Sequence, residues 1–262
     1  MKRTPTTPDL SQFPEEFRYL LKNRPVYDSS CSKEAKVWFL DQDGGLFLKS
    51  APGGSLKTEA EMNRFFHSKG LGPEVLSYLP GEIDWLLTVR IPGEDCTFPD
   101  YLSDPKRLCD TTAALLRQLH ETDFTGCPVQ NRTECYLTDA ARNYRAGIYE
   151  HDLFPVDWGF GAAEEAWQEI QRNAQYLKTD TLLHGDYCLP NILLDNWRFS
   201  GFIDLGKAGV GDRHFDIFWG AWTLFFNLKT NAYYDRFLDA YGRDCIQPEL
   251  LKTIAALEGF TE

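Results

Sequence analysis

The chain has 262 residues, 43% hydrophobic and 14% aromatic, a composition that is globular rather than disordered and leaves room for one large domain or two lobes. With 39 acids against 27 bases the net charge is −12. That balance argues against generic binding to nucleic acid or anionic membrane; it suits a cationic small substrate, or serves solubility alone. The seven cysteines are odd in number and form no C-x-x-C pair, so neither a zinc site nor a disulfide framework is expected, and the thiols are read as reduced. The opening "MKRTPTTPDLSQFPEEF" lacks the apolar stretch of a signal peptide, and no window approaches the roughly 18 apolar residues of a membrane span. A cytoplasmic protein with no membrane partner is the expectation.

In chain order, "VYDSSCSKEA" reads as a loop rich in small polar residues, and "KVWFLDQDGGLFLKS" as a hairpin turning at "DGG", residues 43–45. "SLKTEAEMNRFFHSKG" reads as a helix with Glu59, Met62 and Phe66 on one face and Gly70 as its stop. "GPEVLSYL" and "DWLLTVRI" read as strands, and "PGE" at 92–94 breaks the pattern. Helical periodicity then sets in with "KRLCDTTAALLRQLHETD", "TDAARNYRAGIYEHDL" and "AAEEAWQEIQRNAQYLK". "HFDIFWGAWTLFFNLK", apolar nearly all round, is expected to be a buried helix. "NAYYDRFLDAYG" and "PELLKTIAALEGF" close the chain as helices. This segregation gives an α+β fold in two lobes: a small N-terminal sheet lobe with one helix over residues 1–90, and a larger, mainly helical lobe over 91–262.

The stretch "HGDYCLPNILLDNWRFSGFIDLG", residues 184–206, carries the chemistry. Asp186 and Asn191 bracket one loop, and Asp204 ends the strand "FSGFID". Antiparallel pairing through a turn at 195–198 brings Asn191 near Asp204. Two carboxylates and a neutral amide match phosphoryl transfer: hard oxygen ligands for magnesium, and one further carboxylate to accept a proton from the attacking hydroxyl.

The same residues resemble the aminoglycoside phosphotransferases, relatives of the protein kinases. "HGDYCLPNILL" is similar to that family's H-G-D-x-x-x-x-N loop, and "FSGFIDLGKAGVGDRHFDI" to its second block, where I-D-x-G stands in for the kinase D-F-G. Within that family the chain resembles the 3′-type enzymes, which phosphorylate kanamycin and neomycin. The resemblance implies a protein-kinase-like fold, ATP or GTP with Mg2+ as cofactors, and transfer of the γ-phosphoryl group to an aminoglycoside hydroxyl. Asp186 would be the catalytic base, and Asn191 and Asp204 the magnesium ligands. Lys49 would hold the α- and β-phosphates, oriented by Glu59, with Glu61 as its rival. Ser29, Ser30 and Ser32 would line the loop above the phosphates. Phe47, on the Lys49 face of its strand, is placed to pack on adenine or serves as plain core. The backbone from Thr88 through Val89 to Ile91 would read the adenine edge. His184 and Asp216 are read as structural.

By the same resemblance, acids for a polycationic substrate would come from the segment 150–165, with Asp152, Asp157, Glu164 and Glu165, and from the end of the sequence, where Glu258 and Phe260 match the family in kind. Several positions depart from the family pattern. Phe226 and Asn227 stand where relatives carry an acidic pair, Gly259 replaces an acid, and Lys207 replaces an arginine. These departures leave phosphotransfer intact and open the acceptor to alternatives: a macrolide, an amino alcohol or a sugar. A nucleotide-binding pseudokinase and a protein kinase are the remaining readings. The second lacks an A-P-E-like end between Asp204 and Asp216.

Overall fold

The computed structural model describes residues 3–31, 33–42, 44–155 and 157–261. Along the chain, β1 (Thr4–Thr6), α1 (Glu15–Leu21), β2 (Val26–Asp28), β3 (Lys36–Leu40) and β4 (Leu46–Pro52) come first. Then follow α2 (Lys57–Ser68), β5 (Val75–Leu79), β6 (Ile83–Val89) and β7 (Glu94–Asp95). The helical part contains α3 (Pro99–Leu102), α4 (Pro105–His120), α5 (Arg132–Ala146) and α6 (Ala163–Asn173). After β8 (Thr181–Leu183) comes the hairpin of β9 (Ile192–Asp195) and β10 (Arg198–Phe202), then β11 (Gly209–Gly211). The last helices are α7 (His214–Leu228), α8 (Tyr234–Tyr241) and α9 (Pro248–Glu258). The α+β class holds, and among the described residues no helix is long and apolar enough to cross a membrane.

The chain divides into two compact units. The first comprises Met1–Asp95 with Pro190–Gly206, and the second Cys96–Leu189 with Lys207–Glu262. The first unit is therefore discontinuous in sequence and includes the hairpin that carries Asn191 and Asp204.

In the first unit a six-stranded sheet runs β1-β2-β3-β4-β6-β5. Strand alternation gives its two faces different work. Leu46 and Leu48 of β4, with Trp85 and Leu87 of β6, pack against Phe17, Leu20 and Leu21 of α1. Burying each such side chain stabilises the fold by about 1.5–3 kcal/mol. The opposite face carries Ala51 and Leu86 and packs on Leu56 and Ala60 at the start of α2. Lys49 pairs with Leu86 and shares Ala51's parity, so it lies on the α2 side. As expected, Gly70 takes a left-handed φ of 72° just past α2, and Met62 and Phe66 are fully buried. A second sheet, β10-β9-β7, completes the unit, and Phe66 meets Phe202 of β10 edge-on at 6.4 Å.

Some local expectations change. The stretch read as a polar loop begins with β2, whose Val26 pairs with Leu40 and is buried. The helix expected over "TDAARNYRAGIYEHDL" starts earlier, at Arg132, and stops at Ala146, because Gly147 caps it with φ 70°.

In the second unit α4 packs on α8, α6 on α9, and α7 on α4, α8 and α9. Asp104 caps α4 by accepting the Arg107 amide hydrogen at 3.2 Å, with Pro105 in the first turn. α7 is buried as expected through Leu224, but its last turn exposes Phe226. β8 and β11 pair as a short antiparallel ladder, Leu182 opposite Val210.

Candidate active site

In the first unit, Lys49 is the centre of a charged cluster. Its Nζ lies 2.8 Å from Glu59 Oε2, in the first turn of α2, and 3.0 Å from Asp204 Oδ1, just beyond β10. Burial opposes the lysine charge, but the two carboxylates outweigh it and hold the ammonium pKa above the ordinary lysine value. Burial lifts the Glu59 carboxyl, Lys49 opposes that, and Asp204 adds to it. Glu59 is the helix partner; Glu61 stands beside Tyr78 instead.

The β9–β10 hairpin places the other two polar groups. Its turn runs through Asn196 and Trp197, both left-handed at φ 50° and 66°, which matches the right-handed twist of the flanking strands. At the open end Ile203 N donates to Asn191 O at 3.0 Å, so the residue before Asp204 faces Asn191. Asn191 is buried, while the Asp204 side chain is half exposed, with φ 61° in the left-handed region. A non-glycine residue held there marks a backbone that its surroundings over-determine. Among the described residues no three His, Cys, Asp or Glu side chains cluster as a metal site. One carboxylate and one amide form a hard oxygen donor set that fits magnesium, which takes few protein ligands and fills its shell with water and phosphate.

The remaining first-unit candidates have structural partners. Ser29 is buried and donates its amide to Val37 O at 2.9 Å, and Ser30 Oγ accepts the Val37 amide hydrogen at 3.0 Å. Both serines thus tie the β2–β3 connection. Ser32 lies outside the described residues. Phe47 packs on Phe39, ring centroids 5.1 Å apart. Val89 N donates to Glu74 O at 2.9 Å, and Ile91 is buried against Gly201, where any larger side chain would collide with it.

In the second unit, β8 delivers the loop that carries Asp186. His184 N and Gly185 N donate to the two oxygens of Asp216 at 2.7 and 2.8 Å. Asp216 is fully buried and also meets His120 Nε2 at 3.2 Å. Gly185 has φ 81°, and a Cβ there would strike the Lys207 carbonyl, so only glycine fits between His184 and Asp186. The fully buried His184 shapes the loop: its Nδ1 accepts the Asp186 amide hydrogen at 3.3 Å. Tyr136 and Tyr187 pin it further through Gly185 O and Thr112 O. Asp186 itself is half-buried.

The acids expected to meet a cationic substrate fall in separate neighbourhoods. Asp157 is exposed and, with Trp158, Phe218, Tyr234 and Lys252, lines a cavity of about 290 Å3. Glu164 and Glu165 are exposed in the first turn of α6, where Glu164 accepts the Tyr144 hydroxyl at 2.6 Å. Glu258 is buried and accepts the Thr261 hydroxyl at 3.1 Å. Burial raises its carboxyl pKa, against the pull of the Lys207 ammonium. Phe260 is fully buried among the rings of Tyr144, Tyr149 and Trp167, with its carbonyl held by Asn143 Nδ2 at 2.6 Å. Sequence reasoning did not single out His120 or Thr223, whose hydroxyl accepts the Leu189 amide hydrogen at 3.1 Å.

Residues 32–253 match the profile of the phosphotransferase enzyme family. The chain belongs to this family. It is 48% identical over 254 residues to a probable aminoglycoside 3′-phosphotransferase of Lactococcus lactis, covering 96% of each chain. Among solved structures, the phosphotransferase fold recurs in an aminoglycoside-3′-phosphotransferase of type VIII, at TM-score 0.72 and 26% identity, over 88% of this chain and 91% of that one. It recurs also in an aminoglycoside phosphotransferase from Streptomyces rimosus, solved with ADP and streptomycin, at TM-score 0.69 and 21% identity over 87% and 90% of the two chains. The family's protein-kinase-like fold, with a sheet-rich first unit and a helical second unit, is the fold of this chain.

Proposed function

We propose that the chain is an O-phosphotransferase that moves the γ-phosphoryl group of ATP or GTP to a hydroxyl of an aminoglycoside, with the 3′ position as the favoured acceptor. The observation that carries this reading is the Lys49 ammonium joined to Glu59 on α2 and to Asp204 after β10. A strand lysine oriented by a helix glutamate is the arrangement that phosphoryl-transfer sites of the kinase type use for nucleotide phosphates. The 48% identity with an L. lactis relative named for aminoglycoside 3′-phosphotransfer supports the acceptor class.

In this reading Lys49 binds the α- and β-phosphates. Asn191 and Asp204 hold magnesium, which when bound neutralises phosphate charge. Asp186 takes the proton of the attacking hydroxyl. The acceptor oxygen forms a bond to the γ-phosphorus, the bond from that phosphorus to the β–γ bridging oxygen breaks, and the nucleoside diphosphate leaves with the bond electrons. The sheet-rich unit would serve the nucleotide and the helical unit the acceptor, in a cytoplasmic enzyme.

The test is product analysis by mass spectrometry after incubation with ATP or GTP, magnesium and a mixed aminoglycoside panel. A mono-phosphorylated aminoglycoside is expected from the native protein and none from Asp186→Ala. Absence of product from every aminoglycoside, with turnover of a macrolide or amino alcohol, would replace the acceptor class.

A further inference from the structure

We propose that Asp84 is a positioning residue for the Lys49–Glu59 ion pair: it supplies the cap that α2 would otherwise draw from Glu59, and so leaves that glutamate free for the nucleotide-binding lysine. The inference rests on the phosphotransfer reading above and deepens it.

Leu56 is the N-cap residue of α2 and has no polar side chain to offer the first turn. Glu59 lies three residues on, the position from which a glutamate ordinarily reaches back and accepts the N-cap amide hydrogen. Here its Oε2 is committed to Lys49 Nζ at 2.8 Å. The amide of the buried Leu56 finds its acceptor on β6 instead, donating to Asp84 Oδ2 at 3.1 Å. Tyr78 Oη donates to the same oxygen at 3.0 Å, and Gly81 N approaches Oδ1 at 3.4 Å. Asp84 is fully buried; burial opposes its charge, but its hydrogen-bond donors outweigh burial and hold the carboxyl below its ordinary pKa.

The surrounding backbone gives this cap its weight. The β4–α2 connection contains Gly53 and Gly54, the second at φ 85°, and rests on the β5–β6 turn, where Gly53 N donates to Glu82 O at 2.9 Å. Ala51 pairs with Asp84 and Lys49 with Leu86, so Asp84 and Lys49 share one face of the sheet. A ring of contacts runs from Asp84 through Leu56 and Glu59 to Lys49 and back across the β4–β6 ladder. Removing the Asp84 carboxylate strands the Leu56 amide, and the acceptor in the capping position is Glu59. A glutamate drawn back to its own helix leaves Lys49 without its helix partner. The loss then falls on nucleotide affinity and not on the aminoglycoside.

The experiment is calorimetric titration with AMP-PNP and magnesium of the native protein, Asp84→Ala, Asp84→Asn, Glu59→Ala and the double variant of Asp84→Ala with Glu59→Ala. Steady-state kinetics and thermal unfolding are recorded alongside. Leu20→Ala, which removes buried surface on the other face of the sheet, controls for lost stability. Asp84→Ala is expected to raise the nucleotide Kd about tenfold with the aminoglycoside KM nearly unchanged. Asp84→Asn keeps an oxygen for Leu56 N and Tyr78 Oη and should stay within about threefold of native. The double variant should bind no worse than Glu59→Ala alone, because the two residues act on one ion pair. Leu20→Ala should lower Tm and leave Kd unchanged. A native Kd in Asp84→Ala, an asparagine variant as impaired as the alanine one, multiplied losses in the double variant, or an equal loss in Leu20→Ala would each overturn the proposal. Should Asp84→Ala fail to fold, Gly53→Ala decides: its Cβ would strike the Gly81 carbonyl and push the connection off an intact Asp84. The same loss of affinity is expected there, and a native Kd would overturn the proposal. A native protein that binds neither AMP-PNP nor GMP-PNP, or a Lys49→Ala variant with native affinity, refutes the phosphate-binding reading and this inference with it. Weakened binding in Lys49→Ala with native binding in Asp84→Ala refutes only the latter.

Discussion

Lys49 and Asp204, 155 residues apart in the chain, meet at 3.0 Å within one compact unit. A strand of the six-stranded sheet and the end of a distant hairpin thus share one ion pair, with Glu59 as the second anion on the same ammonium.

Replacing Lys49 with alanine removes both bonds and leaves the buried Glu59 without its cation. A charge-assisted hydrogen bond contributes about 1.5–3 kcal/mol, so nucleotide Kd should rise about ten- to a hundredfold. Glu59→Gln keeps the side-chain volume and should weaken nucleotide binding less than Lys49→Ala does. Calorimetric titration with a non-hydrolysable triphosphate checks both; unchanged affinity in Lys49→Ala would remove the phosphate-binding role.

Asp204→Ala should abolish the magnesium dependence of nucleotide affinity. Asn191→Ala should reduce that dependence, because only the neutral donor is lost. Titrations with and without magnesium separate the two residues, and a variant that keeps the native metal dependence is not a ligand.

The Asp216 carboxylate is fully buried and bound by His184 N, Gly185 N and His120 Nε2. Asp216→Ala strands all three groups and should destabilise the second unit by about 3 kcal/mol or more. Urea unfolding measures the loss. A change below about 0.5 kcal/mol, the size of an ordinary surface substitution, would contradict the anchoring role.

Asp212 is buried, and the His214 ring at 2.6 Å, the His214 amide at 2.8 Å and the Lys178 amide at 2.6 Å all face its carboxylate. Burial alone would raise its pKa, but these partners pull it below the ordinary 3.8. With the folded value depressed, the unfolded chain binds the extra proton first. The stabilisation is therefore present above 3.8 and is lost as pH falls through the lower folded value. Asp212→Asn should be less stable near neutrality and show a shallower fall in stability below pH 3.8. Equal slopes in native and variant would show that Asp212 does not carry the acid dependence.

The parts legible in the sequence were those with a local signature. The spacing of Asp186, Asn191 and Asp204 announced the hairpin and the loop. The alternation of β4 placed Lys49, and the face shared by Glu59, Met62 and Phe66 picked the glutamate that reaches it. Short strands such as β2 and β8 were not legible, since three residues carry no period and are fixed by partners elsewhere in the chain. Thr223 was missed because one hydroxyl in an apolar helix looks like tolerated noise until Leu189 is seen to donate to it. The burial of Phe260 was likewise invisible, because it depends on Tyr144, Tyr149 and Trp167 from two other stretches of chain.

The hairpin's membership of the first unit bears on the order of biosynthesis. When residue 95 leaves the ribosome, the six-stranded sheet has all its strands, yet β7 has no neighbour, Phe66 lacks Phe202, and Lys49 faces only one of its two anions. Those gaps close only after translation has passed residue 206. An amino-terminal fragment ending at residue 95 should therefore be a poor autonomous folder, and co-expression with a polypeptide supplying 190–206 should rescue it.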